Sequence, residues 1–241
     1  MKIIYISIFP DLFESFVTTT LVSRAVHRWL LSFDYVNPRH FCDDKHRTID
    51  DSVYGGGQGM LMKAPPLIAS IRHLIRKHKL TKTRWWKNPN RHIIMPWPSP
   101  TVFNQSSAHA LQTKDLLIFI CGRYEGIDHR VSLWLDKTYP RHRSKLSLGQ
   151  FVTLGGELPA MTMTEAIIRL IPWVIKEESS RQDESYAVDQ DMNNIEYPQY
   201  TRPELVEWMP IPEVLLSGHH AQIQQWKKDH TDHLHDRTLS S

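Results

Sequence analysis

Three glycine-bearing turns carry the residues best suited to hold a small molecule. The first, Tyr54-Gly55-Gly56-Gly57-Gln58-Gly59, lets backbone approach a ligand closely or adopt positive φ. No Gly-Lys-Ser/Thr follows it, so it is not a phosphate-binding P-loop; alone it reads more readily as a flexible loop than as a site. The second, Cys121-Gly122-Arg123-Tyr124-Glu125-Gly126-Ile127-Asp128, follows the strongest apolar run of the chain, Leu116 to Ile120. Open α/β sheets bind ligands at the carboxyl ends of their strands, so an Arg and a Glu on a glycine turn there suit a site. An ordinary strand-to-helix turn with a surface ion pair fits the same residues equally well. The third, Leu148-Gly149-Gln150-Phe151-Val152-Thr153-Leu154-Gly155-Gly156-Glu157-Leu158-Pro159, reads as a strand running into Gly-Gly and opening a helix, whose first N–H groups are free for a ligand. Together the turns describe a small-molecule site that none of them defines alone.

The elements that must position these turns alternate between strand and helix. Residues 3–8 are β-branched and end at Phe9-Pro10, which predicts a first strand. Residues 12–29 carry a roughly helical rhythm, and 33–36 form a second strand closed by Asn37-Pro38. Residues 41–59 are polar and glycine-rich, a long loop of the kind that is usually functional or disordered. Leu67, Ile68, Ile71, Leu74 and Ile75 recur at helical spacing from Pro66 onward. Residues 93–95 and 116–121 are short apolar runs typical of buried parallel strands. A further helix starts at Leu158 and is ended by Pro172; short helices are expected over 204–209 and 221–228. This alternation predicts an α/β fold with a parallel sheet covered on both faces. The domains expected are 1–175, a charged linker over 176–194, and a small helical domain over 195–241.

At 241 residues, with 41% hydrophobic and 23% charged side chains, the chain is an ordinary globular protein rather than a disordered one. A net charge of +3 permits a polyanionic partner without demanding one. Cys42 and Cys121 cannot make a disulfide framework, and fit a reducing cytoplasm. No signal peptide or membrane-length apolar stretch is evident. His219, His220, His230, His233 and His235 lack a metal-ligand spacing, so no metal site is expected. The basic residues between Arg72 and Arg91, with Trp85 and Trp86, could track phosphates, or could be a solvated helix face with tryptophans on the core.

The turns also carry a family resemblance. Ile6 to Pro10 (ISIFP), Asn37-Pro38-Arg39, His46 to Asp51 (HRTIDD), Tyr54 to Met62 (YGGGQGMLM), Cys121 to Asp128 (CGRYEGID), Gly155 to Thr162 (GGELPAMT), Tyr197 to Glu204 (YPQYTRPE) and Val214 to Trp226 (VLLSGHHAQIQQW) resemble, in order, the bacterial tRNA (guanine-N1)-methyltransferase family, often called TrmD. The resemblance implies a SPOUT-type fold whose parallel sheet ends in a C-terminal trefoil knot. It further implies a homodimer, S-adenosyl-L-methionine as methyl donor, and the anticodon stem-loop of tRNA as partner, the target being the guanine just 3′ of the anticodon. Position by position, it places donor binding on Gly122, Glu125, Pro98, Leu148, Gly149, Gln150, Phe151, Val152, Thr153, Gly155 and Gly156. The catalytic arginine falls on Arg169 and the catalytic carboxylate on Glu184.

Guanine N1 carries a proton at neutral pH and is a poor nucleophile until it is lost. Glu184 would take that proton and Arg169 would stabilise the charge developing on O6. Read without the family, Arg169 is a structural cation beside Glu165, and Glu184 a solvated carboxylate. This chain departs from the family pattern in Glu184 for aspartate, Trp97-Pro98-Ser99-Pro100 for Ser-Pro-Gln-Gly, Gln150 for aspartate and Leu154 for serine. A tRNA-binding protein that has lost efficient catalysis is the alternative those changes leave open. A nucleotide hydrolase built on GGGQG lacks a lysine and metal-holding residues.

Overall fold

The computed structural model describes residues 1–78, 90–175, 184–186 and 194–233. Lys79, Lys82, Arg84, Trp85, Trp86 and Lys87, most of the expected linker, and His235 lie outside the described residues. The chain divides into two compact units, Met1–Lys176 and Glu177–Ser241.

In the first unit β1 (Lys2–Ile6) leads through a 3-10 turn at Pro10–Phe13 into α1 (Glu14–Val17), α2 (Thr20–His27) and β2 (Ser32–Val36). The single helix expected over 12–29 is therefore broken. Thr18 and Thr19 return their hydroxyls to the Glu14 and Phe16 carbonyls at 2.8 Å each, competing with helix continuation. After a 3-10 turn at Pro38–Phe41, a hairpin pairs β3 (Asp50–Ser52), inside the stretch expected as loop, with β4 (Met60–Met62), just beyond it. Then follow α3 (Ala64–Lys77), β5 (Arg91–Pro96), α4 (Gln105–Gln112), β6 (Leu116–Ile120), α5 (His129–Thr138), β7 (Arg143–Leu146) and α6 (Glu157–Ile168). Pro65 and Pro66 sit in the first turn of α3, where their missing N–H groups cost nothing. Asn104 and Asp128 cap α4 and α5 by accepting from Ser107 N at 3.0 Å and Arg130 N at 2.8 Å.

The five strands pair in the order β2-β1-β6-β5-β7, all parallel. Every side chain of β6 is buried, as a central strand covered on both faces requires. Ile4, Ile6, Ile93, Met95, Ile118 and Ile120 face Leu67, Ile71 and Leu74 of α3 and Val131 and Leu135 of α5. Ile3, Tyr5, Ile94, Leu117 and Phe119 face α2, α4 and α6. On that second side Tyr5 stacks on Phe13 at 4.0 Å, and its hydroxyl donates to Thr164 at 2.7 Å, satisfying a polar tip inside an apolar layer. The strand expected over 148–154 is instead irregular; the strand precedes it, at β7. β7 is an edge strand whose Arg143, Ser144 and Lys145 are only half-buried, so it carries no apolar run to announce it.

The second unit contains β8 (Asn194–Ile195), β9 (Leu205–Val206), β10 (Met209–Pro210), α7 (Glu213–Leu216), α8 (His220–Asp229) and β11 (Asp232–His233). A helix was expected over 204–209, but these residues form the β9–β10 hairpin, turning at Glu207 with φ 54°. Pro203, Pro210 and Pro212 close both sides of that segment and deny it a helical frame. Tyr186 N donates to Asn194 O at 2.8 Å and Glu196 N to Ser185 Oγ at 2.9 Å, tying residues 184–186 to the start of β8.

Candidate functional site

The carboxyl ends of β5, β6 and β7 open into one crevice of about 190 Å³. β5 delivers Pro96, Trp97 and Pro98; β6 delivers Gly122, Tyr124, Glu125 and Gly126; β7 delivers Leu146, Ser147 and Leu148. Phe151, Val152, Thr153, Gly155, Gly156 and Pro159 close it from the turn that starts α6. The crevice thus brings Gly122, Glu125, Pro98, Leu148, Phe151, Val152, Thr153, Gly155 and Gly156 together. Gly149 and Gln150 belong to the same turn but do not line the crevice.

Close backbone packing holds these walls. Gly156 N donates to Gly122 O at 2.8 Å, fastening the start of α6 to the end of β6. A Cβ on Gly156 would meet Cys121 Cα at 2.9 Å and Gly122 N at 3.0 Å, so only glycine fits. The first glycine turn joins the second from outside: Gly59, at φ 91°, lies where a Cβ would meet Glu125 Cγ at 2.3 Å. Glu125 N also donates to Met60 O at 3.0 Å, and Met62 N to Gly126 O at 2.9 Å. The β3–β4 hairpin therefore braces the Glu125 turn. Ser147 Oγ donates to Gly149 O at 2.7 Å and accepts from Gly149 N at 3.1 Å, which explains why Gly149 faces its own turn rather than the crevice.

The crevice suits a ligand with a flat apolar part and a few acceptors. Trp97, Leu146, Leu148 and Phe151 supply apolar wall. Among the described residues, the amides of Gly122, Leu148, Phe151, Val152 and Thr153 donate to no protein group, leaving N–H donors for such a ligand. Pro98 and Pro100 have no N–H to add. Cys121, fully buried beside the crevice, has its thiol pushed up first by burial and then by Glu157, so it carries no nucleophile there.

Reading the sequence alone did not single out the polar group beneath the α6 turn. Glu157 is completely buried; Ser7 Oγ donates to its Oε1 at 2.7 Å and Arg123 Nε to its Oε2 at 2.8 Å. These residues lie at positions 7, 123 and 157, and only the fold brings them together.

Neither residue expected to catalyse is among those that line the crevice. Arg169 caps α6 at its far end, its amide donating to Glu165 O at 3.2 Å, and it does not line the crevice. The twelve residues of α6 span about 18 Å at 1.5 Å per residue, so the helix separates Arg169 from Gly156 by roughly that length. Glu184 belongs to the second unit, where its carbonyl accepts from Asn194 Nδ2 at 3.4 Å. No group of three or more His, Cys, Asp or Glu side chains that could hold a metal ion occurs among the described residues. Nor, among them, is any helix long and apolar enough to cross a membrane.

A parallel sheet with a glycine-walled crevice at its carboxyl edge defines an α/β ligand-binding domain. Comparison with known proteins narrows this: residues 1–239 match the family described as tRNA (Guanine-1)-methyltransferase TrmD. Proteins named tRNA (guanine-N(1)-)-methyltransferase are similar over nearly the whole chain. The protein of Metamycoplasma arthritidis is 38% identical over 229 residues, covering 95% of this chain and 90% of its own. That of Staphylococcus haemolyticus is 39% identical, with 95% and 85% covered. That of Lacticaseibacillus paracasei is 40% identical, with 95% and 81% covered. The chain belongs to the tRNA (guanine-1)-methyltransferase TrmD family.

Proposed function

We propose that the protein transfers a methyl group from S-adenosyl-L-methionine to N1 of the guanine immediately 3′ of the anticodon in tRNA. The observation that carries this is the coincidence of a whole-chain family match with a crevice lined by nine of the eleven residues that the family resemblance assigns to the donor. The amides of Gly122, Leu148 and Val152, unpaired among the described residues, and the apolar surface of Trp97 and Phe151 fit an adenosine-bearing ligand. When bound, the donor supplies an activated methyl on a sulfonium, so the protein's task is mostly to place the purine in line with it.

Glu184 takes the guanine N1 proton onto its carboxylate, and the guanidinium of Arg169 stabilises the charge left on O6. α6 holds Arg169 about 18 Å from the Gly156 turn, a separation beyond the reach of one arginine side chain. A homodimer, in which a second copy completes each site, resolves this. Phe151, Val152, Leu154 and Leu158 form an exposed apolar stretch around the crevice, with Val152 86% and Leu154 91% exposed, that a second copy would cover. In this reading the chain from β6 to α6 is threaded as a trefoil knot, supported by the return of the post-β7 turn to the end of β6 through Gly156 and Gly122. Residues 1–175 form the donor domain, 176–194 an interdomain linker, and 195–241 a tRNA-binding domain, all acting in the cytoplasm.

The test is methyl transfer from labelled S-adenosyl-L-methionine to paired tRNA transcripts that differ only in having guanine or adenine after the anticodon. Transfer confined to the guanine transcript is expected. Equal labelling of both, or of neither by protein that binds tRNA, would reject the reading; the second outcome fits a binding protein whose Trp97-Pro98-Ser99-Pro100 wall no longer holds the donor.

A further inference from the structure

Arg123 is held in place with most of its donors unused. Its Nε donates to Glu157 Oε2 at 2.8 Å, and its guanidinium carbon lies 4.8 Å over the ring of Phe9. Phe9 is itself fixed, since its amide donates to Ser7 Oγ at 3.0 Å while Ser7 donates to the other oxygen of Glu157. One bond sets the direction of the guanidinium and the ring sets its plane. Among the described residues no acceptor engages the two terminal nitrogens, and the side chain retains 22% exposure. Removing this charge from water without using its remaining donors is costly, which makes the arrangement half of a recognition site.

The place of the guanidinium narrows what it recognises. A Cβ on Gly155 would meet Arg123 Nε at 2.4 Å, so Arg123 lies directly behind Gly155. Gly155 lines the crevice and Arg123 does not. The fork is thus beside the donor crevice but outside its wall, where a bulky substrate would pass. A planar guanidinium with two parallel N–H groups matches the oxygens of a phosphate.

We propose that Arg123 binds a backbone phosphate of the RNA substrate next to the target base, pre-set by Glu157 and Phe9. This rests on the reading of the substrate as tRNA. The buried carboxylate engages only Nε, which fixes the fork and leaves both terminal nitrogens to donate to phosphate oxygens. Arg123 thereby ties the position of the RNA to the α6 turn that closes the donor crevice.

The test uses Arg123→Gln, which keeps an N–H donor for Glu157 but removes the charge, and Arg123→Lys, which keeps the charge but not the fork. Binding of tRNA is measured by fluorescence anisotropy over a range of salt concentrations, with S-adenosyl-L-methionine affinity by calorimetry and mass by light scattering. The Gln variant should bind tRNA roughly tenfold more weakly, with the slope of log K against log salt reduced by about one. Donor affinity and oligomeric mass should stay at wild-type values. The Lys variant should recover the salt slope but only part of the affinity. Wild-type tRNA affinity and slope in the Gln variant would overturn the proposal, as would a loss confined to donor binding or a change of mass. Because tRNA binding is read separately from methyl transfer, failure of the wild type to methylate would count against the enzymatic reading alone.

Discussion

Replacing Gly156 with alanine tests the construction of the crevice most sharply, because the substitution is permitted by the backbone and forbidden only by space. Gly156 has φ −81° and ψ −7°, a conformation alanine adopts freely. The added methyl would sit 2.9 Å from Cys121 Cα and 3.0 Å from Gly122 N, against an ordinary contact distance of 3.4 Å or more. Backbone must therefore shift by a few tenths of an ångström to accept the methyl. Both neighbours belong to the end of the central strand, which has no flexible side chain to swing away. Overpacking of this kind costs about 1–3 kcal/mol. In a unit of this size each kcal/mol lowers the melting temperature by about 2–4 °C, so a fall of about 2–12 °C is expected. The same shift stretches the Gly156 N to Gly122 O hydrogen bond and widens the crevice floor. Thermal melts should show the drop, and calorimetric titration with S-adenosyl-L-methionine a loss of roughly tenfold in affinity, equivalent to about one hydrogen bond. Gly57→Ala is the control for affinity: nothing lies within 4 Å of its Cβ position, so donor binding should be unchanged. A Gly156→Ala protein with unaltered melting temperature and donor affinity would refute the idea that this glycine joins α6 to β6.

Further expectations follow from the same contacts. Ser7→Ala strips one oxygen of the buried Glu157 of its donor and the Phe9 amide of its acceptor, and should destabilise by about 1–3 kcal/mol in urea unfolding; a change near zero would mean that water replaces the hydroxyl. His92 is held down to about 4, first by burial and then by Lys114 and His142. Its unfolded form binds the proton more readily, so its stabilisation is complete above about pH 6.5 and is lost as pH falls toward 4, by about 3 kcal/mol in all. Urea midpoints at pH 7 and pH 5 should show this loss, and His92→Gln, which cannot charge, should flatten it; an equal slope in both proteins would exclude His92 as the source. Arg169→Ala and Glu184→Gln should each reduce methyl transfer by about 10²–10⁴-fold while leaving donor affinity intact, as stopped assays and calorimetry would show. Mixing Arg169→Ala chains with crevice-damaged chains should restore transfer if a second copy completes each site, and no recovery after subunit exchange would exclude that arrangement.

The fold was legible where burial on both faces leaves an apolar run. Leu116 to Ile120 announces the central strand, and the spacing of Leu67, Ile71 and Leu74 announces α3, because each faces the core. β7 escaped notice since an edge strand can keep Arg143 and Lys145, and the apolar Phe151 and Val152 that looked like strand are crevice wall and exposed surface instead. β3, with the sequence Asp-Asp-Ser, has no hydrophobic signal at all. It is held by pairing with β4 while buried Ile49 and Met62 anchor the hairpin from its base. Much of the crevice was legible because its residues cluster in two of the three glycine turns, 121–128 and 148–159, whereas the 54–59 turn lines none of it and only braces Glu125 from outside. The Ser7–Glu157–Arg123 group was not, because hydrogen bonds between positions 150 residues apart leave no local pattern.

The central claim is that the carboxyl edge of the sheet holds the methyl donor. A crystal structure of the protein soaked with S-adenosylhomocysteine tests it directly. The account predicts ligand density between the Trp97–Pro98 wall and the 148–156 turn, with Gly122 and Leu148 amides within hydrogen-bonding distance. Density elsewhere, or a crevice closed by its own side chains in crystals of protein that binds the ligand in solution, would contradict it.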